Sequence, residues 1–217
     1  MKFQISKELP SLGMVLVPFI YLYYLWSDLP TKVPIHWNMA GEIDRYGNKS
    51  ELLVVAFVLP LLTYLILLVI PYLDPKKKIQ LMGDKYHTLK FFMVMITSLL
   101  AIFIIYSSQS QQVADSNVLF SIIAVLFIVL GNYMKNMGQN YFMGIRTPWT
   151  LENERVWREV HHFASYLWVG AGILLLLLSL VIPFKIFMPF FIGITMIIAL
   201  IPVVQSYILF KKYTSNA

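Results

Sequence analysis

Apolar and polar residues follow one another along this chain in long blocks. Six apolar blocks are each close to the roughly 20 residues that an α-helix needs to cross the hydrocarbon core of a bilayer. They cover Leu9–Trp26, Leu52–Leu73, Leu89–Tyr106, Val113–Tyr133, Phe163–Phe184 and Ile186–Phe210. The pattern predicts an all-α, polytopic membrane protein with six transmembrane helices. A tight hairpin at 182–185 would separate the last two.

One polar stretch between these blocks, 131–162, contains signals for the start of a helix. Thr147 can accept a hydrogen bond from a backbone N–H two or three residues on, and Pro148 needs no N–H at the first helical position. From Trp157 onward, apolar residues recur at three- and four-residue steps. We therefore predict an ordered loop from Gly131 and an interfacial helix that starts near Pro148 and continues as the fifth span.

The composition is typical of a membrane protein and excludes several chemistries. Of the 217 residues, 59% are hydrophobic and 13% are charged, and the mean hydropathy is +0.70; a soluble domain is nearer to about half apolar and about a quarter charged. Cysteine is absent, which excludes disulfides, thiolate metal sites and cysteine nucleophiles. The net charge of +6 comes from basic residues beside apolar blocks, where they serve topology and contact anionic membrane lipid. We predict no direct contact with nucleic acid.

The placement of lysine and arginine predicts the orientation in the membrane. A cytoplasmic N-terminus puts most of the 17 Lys and Arg residues into inner segments. The outer segments then hold Lys32, Arg45, Lys49 and Lys185. We expect one membrane domain over 1–217 with both termini in the cytoplasm, an extracytoplasmic loop at 29–51 and a cytoplasmic loop with its interfacial helix at 131–162.

The outer loop combines aromatic, polar and charged side chains. Such a surface suits a peptide or a lipid headgroup. The candidate ligand-binding residues are His36, Trp37, Asn38, Gly41, Asp44, Tyr46 and Lys49. A compact cap on the helix ends explains the same residues, and both interpretations stay open. Because His36 has no second histidine at helical spacing and cysteine is absent, we predict no metal site and no cofactor.

The inner loop also has two interpretations. Its arginine and tryptophans can anchor the chain at lipid headgroups. Alternatively, the loop forms a cytoplasmic pad that holds a protein partner. The candidate partner-binding residues are Asn132, Asn140, Gly144, Arg146, Thr147, Pro148, Trp149 and Trp157.

Two alternatives to a binding protein come from the same residues. No serine stands in a nucleophile-elbow motif, so we predict that the protein is not an enzyme. The enzymatic alternative is a membrane-surface hydrolase that uses His36 with Asp44. The other alternative is a lipid-handling or small-molecule transport protein whose prolines kink the spans. We expect no ionisable residue in the middle of a span. Lys90 is counted among the charges of the inner segments. Asn132 and Gln205 are the polar side chains expected to lie deepest in the membrane.

Two motifs resemble a known family. The inner loop reads G-N from Gly131, N-Y-F-M-G-I-R-T-P-W-T-L from Asn140 and E-R-V-W up to Trp157, and His161 follows. This run resembles the signature of the SdpI family of bacterial membrane proteins. The outer loop, P-I-H-W-N-M-A-G-E-I-D-R-Y-G-N-K from Pro34, resembles a domain of unknown function often found at the N-terminus of these proteins.

The resemblance implies a non-enzymatic immunity or sensing protein in the bacterial cytoplasmic membrane. The implied role is resistance to a secreted, membrane-active peptide toxin, which the outer loop would meet, and capture of a cytoplasmic repressor by the inner loop. We expect any signal between the loops to travel as a shift in helix packing, because a ligand that binds one state more tightly shifts the population towards that state.

Overall fold

The computed structural model describes residues 4–38, 42–110 and 116–215, most of them helical. The helices are α1 (Ile5–Leu25), α2 (Glu51–Ala56), α3 (Thr63–Leu73), α4 (Asp84–Ser110), α5 (Ser116–Met134), α6 (Pro148–Glu152), α7 (Glu154–Val181) and α8 (Phe184–Thr214). Among the described residues, six helical segments are long and apolar enough to span a membrane, with α2 and α3 joined into the single segment Glu51–Leu73. The predicted six-span architecture is confirmed, and the chain is a multi-pass membrane protein.

The last two spans are separated by a short break. α7 ends at Val181, and the next residue, Ile182, has extended backbone angles (φ −102°, ψ 134°). Pro183 follows and precedes the first residue of α8. Because proline has no N–H for the helical hydrogen-bond ladder, α7 does not run on into α8. The predicted hairpin at this position is confirmed.

The second span contains a π-helical turn, Phe57–Leu62, that joins α2 to α3 around Pro60. Proline cannot donate a backbone hydrogen bond, and its ring clashes with the carbonyl four residues earlier in a regular α-helix. A wider turn removes that clash while the helix continues. The helix is therefore irregular at Pro60, next to a groove that Val58 and Leu59 line.

Contacts between Cα atoms group the described residues into two compact units. The first unit contains Lys2–Leu68 and His87–Ile122, and the second contains Val69–Tyr86 and Ile123–Ala217, each within the described ranges. One membrane domain over 1–217 stays a prediction.

The predicted outer loop at 29–51 contains a β-hairpin, which lies in the first unit and was not predicted from the sequence. Strand β1 (Lys32–Trp37) pairs antiparallel with β2 (Ile43–Asn48). The register pairs Val33 with Gly47 and His36 with Arg45, with an irregularity between Pro34 and His36. A bulge of this kind adds a residue to one strand and increases the local twist.

The hairpin is packed onto the neighbouring helices of the first unit. Val33 is buried in an apolar cluster with Leu22, Leu25, Leu29, Leu52, Ala56 and Ile105. The hydroxyl of Ser108 donates to the carbonyl of Pro34 at 3.0 Å. Nζ of Lys49 donates to the carbonyl of Trp26 at 3.0 Å and lies 4.8 Å from the centre of its ring. The hairpin is therefore an ordered part of this unit.

A buried ion pair connects α1 to α4 in the first unit. Glu8 and Lys90 are each 1% exposed, and Nζ of Lys90 lies 2.7 and 2.6 Å from the two carboxylate oxygens. The hydroxyl of Tyr64 donates to the same carboxylate at 3.0 Å, and Nδ1 of His87 lies 3.5 Å from it. Lys90 is thus a buried residue of α4, which begins at Asp84, and its assignment to the cytoplasmic side stays a prediction.

Close packing of α5 on α7 in the second unit depends on Gly131. A Cβ at this position would lie 2.8 Å from Cβ of Trp168 and from the amide nitrogen of Val169. Small residues allow membrane helices to approach closely. Nε1 of Trp168 in turn donates to the carbonyl of Ile198 at 3.0 Å, which connects α7 to α8.

Candidate functional site

The hairpin brings two predicted site residues into direct contact. Nδ1 of His36 lies 2.6 Å from Oδ1 of Asp44 across the two strands, so the imidazole donates to the carboxylate when Nδ1 carries the proton. The side chains are 55% and 41% exposed. The contact is therefore open to a ligand. Within the part of the chain that the structure describes, no three His, Asp or Glu side chains are placed to hold a metal ion.

Asn38 and Glu42 close the end of the hairpin. Nδ2 of Asn38 donates to Oε2 of Glu42 at 3.1 Å, and the amide of Glu42 donates to Oδ1 of Asn38 at 2.9 Å. Of the other predicted residues at this end, Trp37 is the last residue of β1 and pairs with Ile43, while Gly41 lies outside the described residues. The side chain of Asn38 therefore has a role in the turn itself.

Tyr46 and Lys49 have different surroundings. The Tyr46 side chain is exposed on β2, whereas Lys49 is held by Trp26 through the hydrogen bond and the ring contact described above. The structure therefore leaves His36, Asp44 and Tyr46 on the surface and uses Lys49 to attach the hairpin.

An apolar groove of about 430 Å³ lies between the hairpin and α2. Its walls include Pro34 and Ile35 of β1 and Val54 and Val55 of α2, and Arg45 also lines it. Arg45 is exposed and forms no ion pair with another described residue. Glu51 of α2 lines it as well, so the groove can accept an apolar group next to one positive and one negative charge. Sequence reasoning missed it, because these valines look like ordinary lipid-facing residues of a span.

In the second unit, Gly144 lets the loop at 135–147, here called the Gly144 loop, approach α7. Its φ of +98° is a left-handed conformation that favours glycine, and a Cβ there would overlap Nε2 of His161. The amide of Ile145 donates to Nε2 of His161 at 2.9 Å, and Nδ1 of His161 lies 2.8 Å from the carbonyl of Trp157. Both contacts are hydrogen bonds when the imidazole is neutral with its proton on Nδ1.

Trp157 attaches the same loop from a second direction. Its ring is buried and stacks on His161 with centroids 4.0 Å apart at 20°. Its Nε1 donates to the carbonyl of Met137 at 2.8 Å. Trp157 and His161 therefore hold the Gly144 loop at both ends, through Met137 and Ile145.

Gln139 connects the loop to α6 and to the segment before α4. Its Nε2 donates to the carbonyls of Thr150 and Leu151 at 2.8 and 2.9 Å, and its Oε1 accepts from Nζ of Lys76 at 2.5 Å. The last carbonyls of a helix have no partner within it. Gln139 thus satisfies carbonyls at the end of α6, and the lysine fixes its orientation.

Asn140 shapes the turn that follows. Its Oδ1 accepts from the amides of Phe142 and Met143, both at 2.8 Å, and its Nδ2 donates to the carbonyl of Gly138 at 3.0 Å. The side chain is 1% exposed. Asparagine favours turns because it can replace backbone partners in this way.

The start of α6 is as predicted. Oγ1 of Thr147 accepts from the amide of Thr150 at 3.2 Å, Oγ1 of Thr150 accepts from the amide of Thr147 at 2.9 Å, and Pro148 is the first helical residue. Oγ1 of Thr147 also donates to Oγ of Ser206 at 3.0 Å, which joins this helix start to α8.

The continuation of this helix differs from the prediction. Asn153 has extended backbone angles (φ −125°, ψ 115°) and ends α6. Its Oδ1 accepts from the amides of Arg155 and Val156 at 2.9 and 3.2 Å, so it caps α7. The prediction of one helix from Pro148 into the fifth span is wrong, because Asn153 ends one helix and begins the next.

The predicted partner-binding residues divide into buried and exposed groups. The buried ones are Asn140, Thr147 and Trp157. The exposed ones are Asn132, Gly144, Arg146 and Pro148. Trp149 is half-buried, with its ring 5.1 Å from that of Tyr207. The exposed residues can touch a partner directly, and the buried ones hold the loop in shape.

Sequence reasoning missed His161, Gln139 and Lys76 as members of this site. Trp157 and His161 stand four residues apart on one helix face, and that spacing was the available signal for His161. Nothing local indicates the contact of Lys76 with Gln139, because the two residues are far apart in the chain.

Comparison with known proteins finds one family match for the region that contains the Gly144 loop and another for the region that contains the hairpin. Residues 136–206 match the SdpI/YfhL protein family, and residues 13–64 match a domain of unknown function, DUF1648. The chain is 27% identical over 183 residues to Immunity protein SdpI of Bacillus subtilis, across 80% of this chain and 82% of that protein. It is 35% identical over 66 residues to an uncharacterized protein of Archaeoglobus fulgidus, across 30% of this chain and 36% of that protein. No solved structure is significantly similar to it.

Proposed function

We propose that this chain, which belongs to the SdpI/YfhL protein family, is a non-enzymatic immunity protein that gives a bacterial cell resistance to a secreted, membrane-active peptide. The observation that supports this most is the similarity to Immunity protein SdpI, which extends over 82% of that protein. Because the match covers most of the chain, it does not result only from similar apolar composition in one or two spans.

The proposed arrangement places the hairpin outside the cytoplasmic membrane and the Gly144 loop inside. The hairpin follows the first candidate span and the Gly144 loop follows the fourth, so three crossings separate them in the chain. The excess of Lys and Arg in the segments assigned to the cytoplasm supports this orientation. A peptide that arrives from outside would therefore meet the hairpin.

The hairpin surface has the chemistry to hold an amphipathic peptide. The groove between β1 and α2 offers apolar walls, and Arg45 provides a positive charge beside it. His36, Asp44 and Tyr46 add polar and aromatic contacts on the exposed strand surface. Peptide contacts combine an apolar centre with a polar rim. We place the peptide with its apolar side in the groove and its polar side against His36 and Asp44.

The Gly144 loop is the proposed contact for a cytoplasmic repressor. Arg146 is exposed on it and Pro148 directly after it. Tyr141 of the same loop is exposed too, and Nη1 of Arg146 donates to its carbonyl at 2.5 Å. This contact holds the guanidinium in one place, where its other N–H groups remain available to an acidic partner. Asn140 and Trp157 would contribute by keeping this surface in shape.

A killing assay tests the proposal. The protein and its variants are expressed at equal membrane abundance in a sensitive bacterial host, which is challenged with the purified peptide killing factor that the family's namesake resists. We expect the wild type to protect, and His36→Ala and Asp44→Ala to raise the sensitivity of the host about tenfold or more, the effect of about 1.4 kcal/mol of lost binding. Arg146→Ala should protect fully and lose only repressor capture.

Lys185→Ala is the matched control, because it removes an exposed charge from the other basic segment assigned to the outside, after α7. It should protect like the wild type. Full protection by His36→Ala and Asp44→Ala would remove the hairpin from the proposal. A wild-type chain that gives no protection against any secreted killing peptide would contradict the immunity function itself.

The surface hydrolase is the second candidate, and the 2.6 Å contact between His36 and Asp44 favours it. An oriented imidazole can act as a general base. If this pair were catalytic, purified protein would release a soluble product from a lipid-linked substrate, and His36→Ala would abolish the release. Absence of product from the wild type would leave the immunity function as the better account.

A further inference from the structure

A second groove, of about 680 Å³, opens in the second unit beside α7. Its lining includes Lys135 after α5, His161, Arg158 and Tyr166 on α7, and Gln205 on α8. Arg158 lies in the second turn of the candidate span Glu154–Val181. The groove is therefore near one end of that span, at the depth where proteins meet lipid headgroups.

Two cations in this groove have no acidic partner among the described residues. Lys135 and Arg158 are both exposed, and neither forms an ion pair within the part of the chain that the structure describes. The one carboxylate in the lining, Glu159, is already engaged: it accepts from the hydroxyl of Tyr213 at 2.6 and 2.7 Å, and Nε of Arg155 lies 3.2 Å from it. The positive charges of Lys135 and Arg158 therefore remain available to bind an anion.

Gln205 adds a buried hydrogen-bond acceptor. Its Oε1 is buried and has no hydrogen-bond partner among the described residues. A buried polar atom without a partner is unfavourable, and such atoms are uncommon in folded proteins. A ligand that brought a hydroxyl into the groove would supply the missing donor.

The remaining wall of the groove is aromatic and faces outward. Phe163 and Tyr166 are 38% and 64% exposed, and the rings of His162 and Tyr166 meet edge to face at 5.1 Å. Aromatic side chains of this kind are typical of the membrane–water interface. They can lie against the first carbons of an acyl chain.

We propose that this groove binds an anionic phospholipid of the surrounding bilayer whose headgroup carries a free hydroxyl, of the phosphatidylglycerol type. The phosphate contacts Lys135 and Arg158, a headgroup hydroxyl donates to Oε1 of Gln205, and one acyl chain lies along Phe163 and Tyr166. The charge, the acceptor and the aromatic wall each match one part of such a lipid.

Binding at this groove would stabilise the Gly144 loop. His161 is part of the groove lining, and the same ring accepts the hydrogen bond from Ile145 and stacks on Trp157. A lipid in the groove covers one side of this ring. The site is independent of peptide resistance, so lipid binding and immunity can succeed or fail separately.

Titration of the purified protein with short-chain lipids tests this site. Wild-type protein in neutral detergent is titrated with dioctanoyl phosphatidylglycerol, and bound lipid is counted by native mass spectrometry. Lys135→Gln combined with Arg158→Gln should weaken binding about 30-fold, since a basic residue near an anionic lipid contributes about 1 kcal/mol. Lys185→Gln combined with Lys211→Gln removes the same amount of charge from two positions on α8 that do not line the groove, and this variant should bind like the wild type.

Two further comparisons separate the parts of the proposal. Dioctanoyl phosphatidylmethanol has the same charge and no headgroup hydroxyl, so the wild type should prefer phosphatidylglycerol and Gln205→Leu should lose that preference. Glycerol phosphate, offered without acyl chains, should not compete.

Unchanged affinity in the double variant at Lys135 and Arg158 would overturn the site, and so would an unchanged preference in Gln205→Leu. Equal competition by glycerol phosphate would overturn the lipid assignment. If the double variant fails to fold by circular dichroism, Gln205→Leu decides the outcome.

Discussion

At the scale of single residues, the Gly144 loop is built from side chains that replace backbone hydrogen-bond partners. His161 accepts a hydrogen bond from the amide of Ile145, and Gln139 donates to two carbonyls of α6. Asn140 accepts from the amides of Phe142 and Met143. Buried backbone groups need partners. The R-T-P-W-T-L run is held by its own cap of Thr147 and Thr150 and, from outside the run, by Gln139 and Ser206.

Gly144→Ala tests the close contact between the Gly144 loop and His161. The new methyl group would overlap His161 and would force alanine into a left-handed conformation. We expect a loss of about 1–3 kcal/mol in the free energy of unfolding, measured by thermal or denaturant unfolding in detergent.

Gly170→Ala on α7 is the control for this substitution, because no atom lies within 4 Å of its added Cβ. Alanine has the higher helix propensity, so this variant should be as stable as the wild type or slightly more stable. Equal stability of Gly144→Ala and Gly170→Ala would contradict the described contact.

The ion pair of Glu8 and Lys90 gives a second prediction at this scale. Lys90→Met leaves the buried carboxylate without its lysine and with only Tyr64 and His87 beside it, which should cost about 3–5 kcal/mol of stability. Combining it with Glu8→Met removes both charges, and the double variant should recover most of the loss. Denaturant unfolding of all three proteins measures the effect; losses that simply add in the double variant would argue against the pair.

At the scale of elements, the six spans could be predicted from the sequence, because a run of about 20 apolar residues has the length of a transmembrane helix and fits few other structures. The hairpin could not be predicted with the same ease, since Pro30 and Pro34 interrupt the strand pattern and its order comes from burial of Val33 in a cluster distant in sequence. The contact between Glu8 and Lys90 joins residues 82 positions apart, beyond any local pattern.

The break at Asn153 was missed for a local reason. The apolar spacing begins only at Trp157 and gives no information about Asn153, and the cap becomes visible only once α6 and α7 are seen as separate helices. Within the polar stretch 131–162, the start of α6 at Thr147 and Pro148 could be predicted, because these two residue types themselves favour the start of a helix.

Asn153→Ala tests the importance of this break. Loss of the side-chain acceptor for Arg155 and Val156 should destabilise the protein by about 1 kcal/mol, measured as a lowered unfolding midpoint. Asn153→Asp retains an acceptor at the same position and should remain close to the wild type. If Asn153→Ala unfolds at the wild-type midpoint, the cap is not what fixes the start of α7.

At the scale of the whole molecule, the proposed function needs a surface for the peptide and a separate surface for the cytoplasmic partner. We propose the hairpin and the Gly144 loop as these surfaces, and a signal between them requires two states that a ligand binds with different affinity. The account therefore depends on the two surfaces lying on opposite sides of the membrane.

Cysteine labelling in intact cells tests that arrangement, and the natural chain contributes no background because it has no cysteine. Single cysteines are placed at the exposed positions Tyr46 and Tyr141, which leaves every charge unchanged. A membrane-impermeant maleimide should modify Tyr46→Cys in intact cells and Tyr141→Cys only after permeabilisation. Modification of both positions in intact cells, or of neither, would contradict the account.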